Sequence, residues 1–196
     1  MIKLPKGQWK QQQGDFLHDK KHNNWLCALI IKIISLAGGI KKGFMTVFDV
    51  LLYIGGRLFA YITFFINIYA RSKIQTEDKE TLVARIAWRT GCRYEFVHHA
   101  EQLEKKHLST ETMTNVCVED TSLIVDDKAR LLATVADDML DNYQVPREHL
   151  EKLREYYPDK LIVEITLFIG HYMMVAGFNN TLVNIEESKE YCFEGE

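Results

Sequence analysis

Proline is scarce in this chain, three residues in 196, and no segment shows the strict apolar–polar alternation of a half-buried strand. Helices can therefore run with few interruptions, and an all-α fold is expected. Net charge is also small: 24 Lys and Arg against 27 Asp and Glu leave −3. No basic stripe accompanies it, so nucleic acid is not an expected partner. Cysteine is sparse. Cys27, Cys92, Cys117 and Cys192 stand far apart without zinc-type spacing, so neither a metal nor another cofactor is expected. Reduced thiols and the lack of a leader-type segment at Met1 make the cytoplasm the expected location. Two apolar stretches fall short of a membrane span. Residues 25–36 contain Lys32, and residues 47–70 contain Asp49 and Arg57, leaving 58–70 uncharged where a spanning helix needs about 20 apolar residues. They read as helices of a core or a subunit interface.

What is present is 47% hydrophobic residues, enough for one sizeable core. Residues 1–24 read as a flexible, mildly basic arm (Lys3, Lys6, Lys10, Lys20 and Lys21, offset by Asp15 and Asp19). Residues 25–196 read as a single all-helical domain: apolar N-terminal helices over 25–70, a half over 76–118 and a C-terminal half over 126–185. A short helix over 24–37 closes at Gly38-Gly39, and a helix over 45–70 is split or kinked at Gly55-Gly56. Thr76 caps a helix that carries Leu82, Ile86 and Ala87 on one face and ends at Thr90-Gly91. The next helix starts at Cys92 and runs to about Lys106, and Ser109 caps a short helix reaching about Cys117. Asp126 or Asp127 opens a helix with Leu131, Leu132, Val135, Met139 and Leu140 at helical spacing. Pro146 suits the first position of a helix over 146–157. After Pro158, Asp159 caps a last helix over 160–184. That helix is apolar almost all round and is expected at the centre of the core.

Proton-handling side chains concentrate between Glu80 and His99. Cys92, Glu95 and His99 fall at i, i+3 and i+7 and share one helix face. In a first turn, free backbone N–H groups and the helix dipole would favour a Cys92 thiolate, Glu95 would oppose it, and the plainer reading is a small buried hydrophobe. Glu95 also stands where a C-x-x-C pair would carry its second cysteine. Glu80, twelve residues before Cys92, would point about 120° away on a straight helix. A break at Gly91 lets it fold back over the next helix start; the simpler reading is an exposed carboxylate serving the dipole. His98 and His99 point about 100° apart, so His99 is the one in register with Glu95, and His98 is expected to pack or hydrogen-bond elsewhere. Tyr94 can offer a hydroxyl to a substrate carbonyl. Glu164 and His171 share a stripe of the last helix, about 10 Å apart. Each reads more simply as a structural hydrogen bond than as a pocket residue.

With these residues laid out, the chain resembles the carboxymuconolactone decarboxylase family, which includes the alkylhydroperoxidase D-like proteins. The segments that carry the resemblance are Glu80-Thr-Leu-Val-Ala-Arg-Ile-Ala-Trp-Arg-Thr-Gly-Cys92, Tyr94-Glu95-Phe-Val-His98-His99, and the run from Lys160 through Asn180. Together they span about residues 58–186. The resemblance implies an alkylhydroperoxidase D-like helical bundle that assembles as a trimer or hexamer, with sites near helix ends and subunit contacts. It implies catalytic roles for Glu80, Cys92 and His99. Glu95 replaces the second cysteine of the peroxidase branch, and Tyr94 and His98 are candidate substrate-binding residues. His107 stands where relatives often carry a helix-ending glycine, and histidine tolerates the left-handed conformation better than most residues. Without a second cysteine, a sulfenic acid at Cys92 would need an outside thiol. The expected activity is therefore acid–base chemistry by Glu80, Glu95 and His99 on a lactone or related organic acid. A peroxiredoxin-like antioxidant protein working through Cys92 alone, and a non-catalytic helical scaffold, are the alternatives.

Overall fold

The computed structural model describes residues 5, 7–10, 47 and 50–183, so the helix expected over 24–37, the remainder of the 1–24 arm, Cys27 and Cys192 lie outside the described residues. Among the described residues there is no strand, and the fold is all-α. A 3-10 turn at Leu52–Ile54 leads through Gly55, in the left-handed region at φ 58°, into α1 (Arg57–Phe65), which tightens into a π-helical turn at Ile66–Ala70. The glycine pair thus divides the apolar segment as its sequence suggests. Then follow α2 (Thr76–Thr90), α3 (Arg93–Lys105), the short α4 (Glu111–Thr114), a 3-10 turn at Thr121–Leu123, α5 (Asp127–Asn142), α6 (Arg147–Leu153) and α7 (Asp159–Leu182).

Helix ends follow local chemistry, shifted by a residue at several places. Asp126 is the cap of α5, and its carboxylate accepts the Ala129 N–H at 2.7 Å. Gln75, not Thr76, occupies the cap position of α2, without a side-chain bond. Cys92 precedes α3 rather than opening it, and Pro146 and Pro158 sit one position before their helices. A proline has no N–H to lose there. Ser109 does accept the Glu111 N–H, but α4 ends at Thr114. His107 takes φ 57°, the left-handed stop that its position suggests, and Tyr143 ends α5 at φ 56°.

The centre of the core is α2. It packs against α3, α4, α5 and α7, and every side chain from Asp78 to Trp88 is buried. The expected apolar face of Leu82, Ile86 and Ala87 is buried, but burial goes further round this helix: the charged Asp78, Lys79, Glu80 and Arg85 are buried too, each with a partner. Tyr157 donates to Asp78 at 2.8 Å, and Lys128 pairs with the same carboxylate at 2.7 Å. Lys79 donates to the Tyr69 carbonyl at 2.8 Å. Arg85 holds Asp137 with two N–H groups and donates to the Val116 and Val118 carbonyls. The expectation for α7 is corrected in the opposite sense. Ile165, Phe168, Ile169 and Tyr172 face the core, but Val163, Leu167 and Met174 are 67%, 50% and 51% exposed. This helix is also long and apolar enough to cross a membrane by length and composition. Its inner face is nevertheless occupied by the core, and its Glu164 accepts from the Ser72 hydroxyl at 3.0 Å and faces the Lys73 amide.

Candidate active site

Gly91 makes the turn that forms the site. At φ 66° it ends α2, and the Cys92 N–H reaches back to the Ala87 carbonyl at 2.7 Å. The chain then reverses, so that α3 runs back along α2. A Cβ at position 91 would lie 2.3 Å from the Gln8 carbonyl oxygen, because residues 7–10 cross this corner. There the Lys10 N–H donates to the Gly91 carbonyl and Trp9 packs edge-on against Phe96. The reversal lays the second turn of α2 beside the second turn of α3 and brings Glu80 to His99.

Glu80 is 1% exposed, which overturns the simpler reading of it as a solvated first-turn carboxylate. The His99 Nδ1–H donates to one of its oxygens at 2.7 Å, and the Tyr69 hydroxyl donates to the other at 2.8 Å. On the far side of the imidazole, Nε2 lies 3.2 Å from the Tyr172 hydroxyl and 3.6 Å from a Glu95 oxygen. The other Glu95 oxygen accepts a short hydrogen bond from the Asn179 side-chain amide. The result is a continuous chain, Tyr69–Glu80–His99–Tyr172, with Glu95 beside its imidazole.

Burial works against every charge here, and the geometry decides which survive. Burial alone would raise the Glu80 pKa, but the charge and hydrogen bond of His99 and the hydroxyl of Tyr69 bring it below the ordinary carboxylate value. Burial alone would lower that of His99, but Glu80 and then Glu95 outweigh it and leave the imidazole more basic than usual. The two therefore form a buried ion pair. Glu95 moves the other way: burial raises its pKa more than His99 and Asn179 lower it, so it holds a proton more readily than a free carboxyl. Burial also pushes the phenols of Tyr69 and Tyr172 well above the ordinary tyrosine value.

Tyr69, His99 and Tyr172 of this chain line a cavity of about 50 Å³, with Glu80 outside its lining and bonded to His99 and Tyr69; it has room for a few waters or a small ligand group. Glu95, His98, His99 and Tyr94 all line it, and Tyr61, Tyr69 and Tyr172 complete an aromatic surround. His98 does not join the proton chain. It stacks on Tyr94 with ring centres 6.0 Å apart and meets Gln102 at 2.8 Å, and burial lowers its pKa to about 3, so its ring is neutral.

Cys92 stands apart from this group. Its thiol is completely buried and lies outside the cavity lining. Burial first, and then the Glu95 charge, raise its pKa far above that of a free thiol, against weaker help from the Glu95 and Tyr94 amides and Asn179. The activating helix-start environment is therefore outweighed, and the plainer reading of a small buried hydrophobe describes it better. Cys117 is likewise a buried free thiol, pushed up to about 12 by burial and bonded to the Met113 carbonyl. Among the described residues no group of three or more His, Cys, Asp or Glu is arranged to hold a metal ion.

Sequence reasoning did not single out Tyr69, Tyr172 or Asn179. For the last two a signal exists, since seven residues apart they share the inner face of α7, where an isolated hydroxyl and amide need partners. Tyr69 carries no such signal, because its π-helical turn breaks the periodicity by which its direction would be read. Comparison with known proteins adds nothing to this geometry: no family model and no curated protein matches the chain.

Proposed function

We propose that this protein is a small-molecule enzyme of the carboxymuconolactone decarboxylase kind that uses acid–base chemistry on a lactone or related organic acid. The observation that carries the reading is the buried Glu80–His99 pair, closed by two tyrosine hydroxyls, whose imidazole lines an aromatic cavity. Such an arrangement is built to move a proton. Glu80 fixes the ring and supports its charge, and the Nε2 edge, beside Tyr172 and Glu95, is where a proton can be given or taken. Glu95, with its raised pKa, is a second acid beside that edge. Tyr94 and His98 serve as binding surface in this reading. The resemblance of the Glu80–Cys92 and Tyr94–His99 segments supports the same choice, and with it a homo-oligomeric trimer or hexamer in the cytoplasm. The sealed Cys92 weighs against a thiol peroxidase.

The test is a screen of lactones and their ring-opened acids with the wild type, Glu80→Gln and His99→Asn. Glu80→Gln keeps both hydrogen-bonding positions, and His99→Asn keeps the one that faces Glu80. We expect kcat to fall by about 10²–10⁴-fold in each with far-ultraviolet circular dichroism unchanged. Undiminished turnover by His99→Asn would remove the imidazole from the mechanism.

A further inference from the structure

His171 lines the cavity wall outside the proton chain, and its ring is the one there whose buried nitrogens are left unpartnered among the described residues. It is 3% exposed, and neither ring nitrogen has a hydrogen-bond partner among the described residues. The structural hydrogen bond expected for it is therefore absent, whereas Glu164 has one. Aromatic rings surround it instead: Tyr61, Phe64, Phe65 and Tyr172 lie with ring centres between 5.3 and 6.1 Å away. Burial lowers its pKa to about 4, so the ring is neutral and offers one N–H and one lone pair. Leaving a buried polar group unpaired is unfavourable, and a group kept at that cost is a place to look for a ligand.

Its position gives the second observation. His171 lines the inner cavity beside His99, and it also lines a groove of about 670 Å³ on the outer side of α7. The groove is otherwise built from Phe64, Val163, Leu167, Met174 and other apolar groups. Thr166, its other polar side chain, donates to the Ile162 carbonyl. No lysine or arginine among the described residues lines either space, and Glu95 lines the inner one. Among the described residues an anion would meet the Glu95 carboxyl group there, and the one cationic ring, His99, is already paired with Glu80.

We propose that cavity and groove are the two ends of one binding site, parted by the His171 ring, for an uncharged and mostly apolar molecule whose carbonyl or hydroxyl group hydrogen-bonds to that ring. The apolar body lies in the groove and the polar head passes inward toward His99 and Tyr172. This deepens the acid–base reading and rests on it: of the two substrate classes named there, it selects the neutral lactone over the acid, and so proton transfer on the lactone over decarboxylation.

Three matched probes test this on the full chain by calorimetric titration: coumarin, a neutral aromatic lactone; coumarin-3-carboxylate, its anionic counterpart; and naphthalene, a similar shape without a polar group. We expect the carboxylate to bind at least about tenfold more weakly than coumarin. His171→Phe should weaken coumarin about tenfold, the loss of roughly one hydrogen bond, and leave naphthalene nearly unchanged. In wild-type protein labelled with ¹⁵N-histidine, coumarin should shift the His171 ring-nitrogen resonances, a readout that does not depend on the variant folding. The proposal is overturned if coumarin does not bind, if the carboxylate binds as tightly, if His171→Phe keeps full coumarin affinity, or if the His171 resonances stay in place. Binding is read without turnover and can be repeated in Glu80→Gln. Coumarin bound by a protein that converts nothing would sink the acid–base reading alone; turnover of an acid with no coumarin binding would sink this one alone.

Discussion

Two carboxyl groups on opposite edges of the same imidazole behave in opposite ways, and their partners explain it. Glu80 receives two hydrogen bonds, one from His99 and one from a phenol, and ionises readily. Glu95 receives one from an uncharged amide, with His99 more distant at 3.6 Å, and resists ionisation. A pH dependence of stability follows. Glu80 has a depressed pKa in the fold, so its contribution is present above the ordinary value of 4.5 and is lost as pH falls through the lower folded value. His99 has a raised pKa, so its contribution is full below the ordinary 6.5 and is lost as pH rises through the higher folded value. The pair therefore stabilises most between pH 4.5 and 6.5. Urea unfolding across the pH range should show that plateau in the wild type. His99→Ala should flatten it and destabilise the fold there by about 3–5 kcal/mol, since it leaves a buried carboxylate without its counter-charge. A profile unchanged by that substitution would mean that the two groups are not ionised together.

Helix ends are where sequence and structure agree best, and they can be tested directly. Gly91 and Tyr143 both end helices in the left-handed region, but only at Gly91 does the surrounding chain forbid a side chain. Gly91→Ala should cost at least about 2 kcal/mol, combining left-handed strain with the clash against the Gln8 carbonyl. Tyr143 is 83% exposed, so Tyr143→Gly loses little packing and should gain about 1 kcal/mol. Chemical denaturation of both variants checks the opposite signs, and a loss in Tyr143→Gly would show that its ring has a role in the fold. Stops and starts were legible at Gly55, Gly91 and Asp126 because each depends on one residue and its immediate neighbours. The rank order of the helices was not. Charge in α2 suggested a half-exposed helix and the apolar α7 suggested the centre, yet burial runs the other way. The partners that make the charges of α2 tolerable, Tyr157, Lys128 and Asp137, lie 40 or more residues further along the chain, and periodicity within one helix cannot see them. The same limit hid the site. The Cys92, Glu95 and His99 register was readable along α3, but Tyr69 and Tyr172 reach His99 from other elements.

Across the molecule as a whole, the described residues include an apolar face. Val163, Leu167 and Met174 rise from the outer side of α7, with Phe64 beside them, a surface more apolar than a lone chain usually presents. In the proposed oligomer a second copy would roof this groove and enclose a ligand's apolar end. Sedimentation equilibrium should then give a trimer or hexamer, and Leu167→Glu, a charge placed on the exposed face, should shift the protein toward smaller species. A wild type that sediments as a single chain at micromolar concentration would refute the assembly.

One interior contact has a consequence for how the structure opens. The Arg85 guanidinium is bound at once to a carboxylate of α5 and to two carbonyls of the stretch that follows α4. Peeling that stretch away would expose one charge and strand its counterpart, so neither neighbour can loosen by itself. Three distant parts of the backbone are thereby riveted to a single cation, and they should melt as one unit.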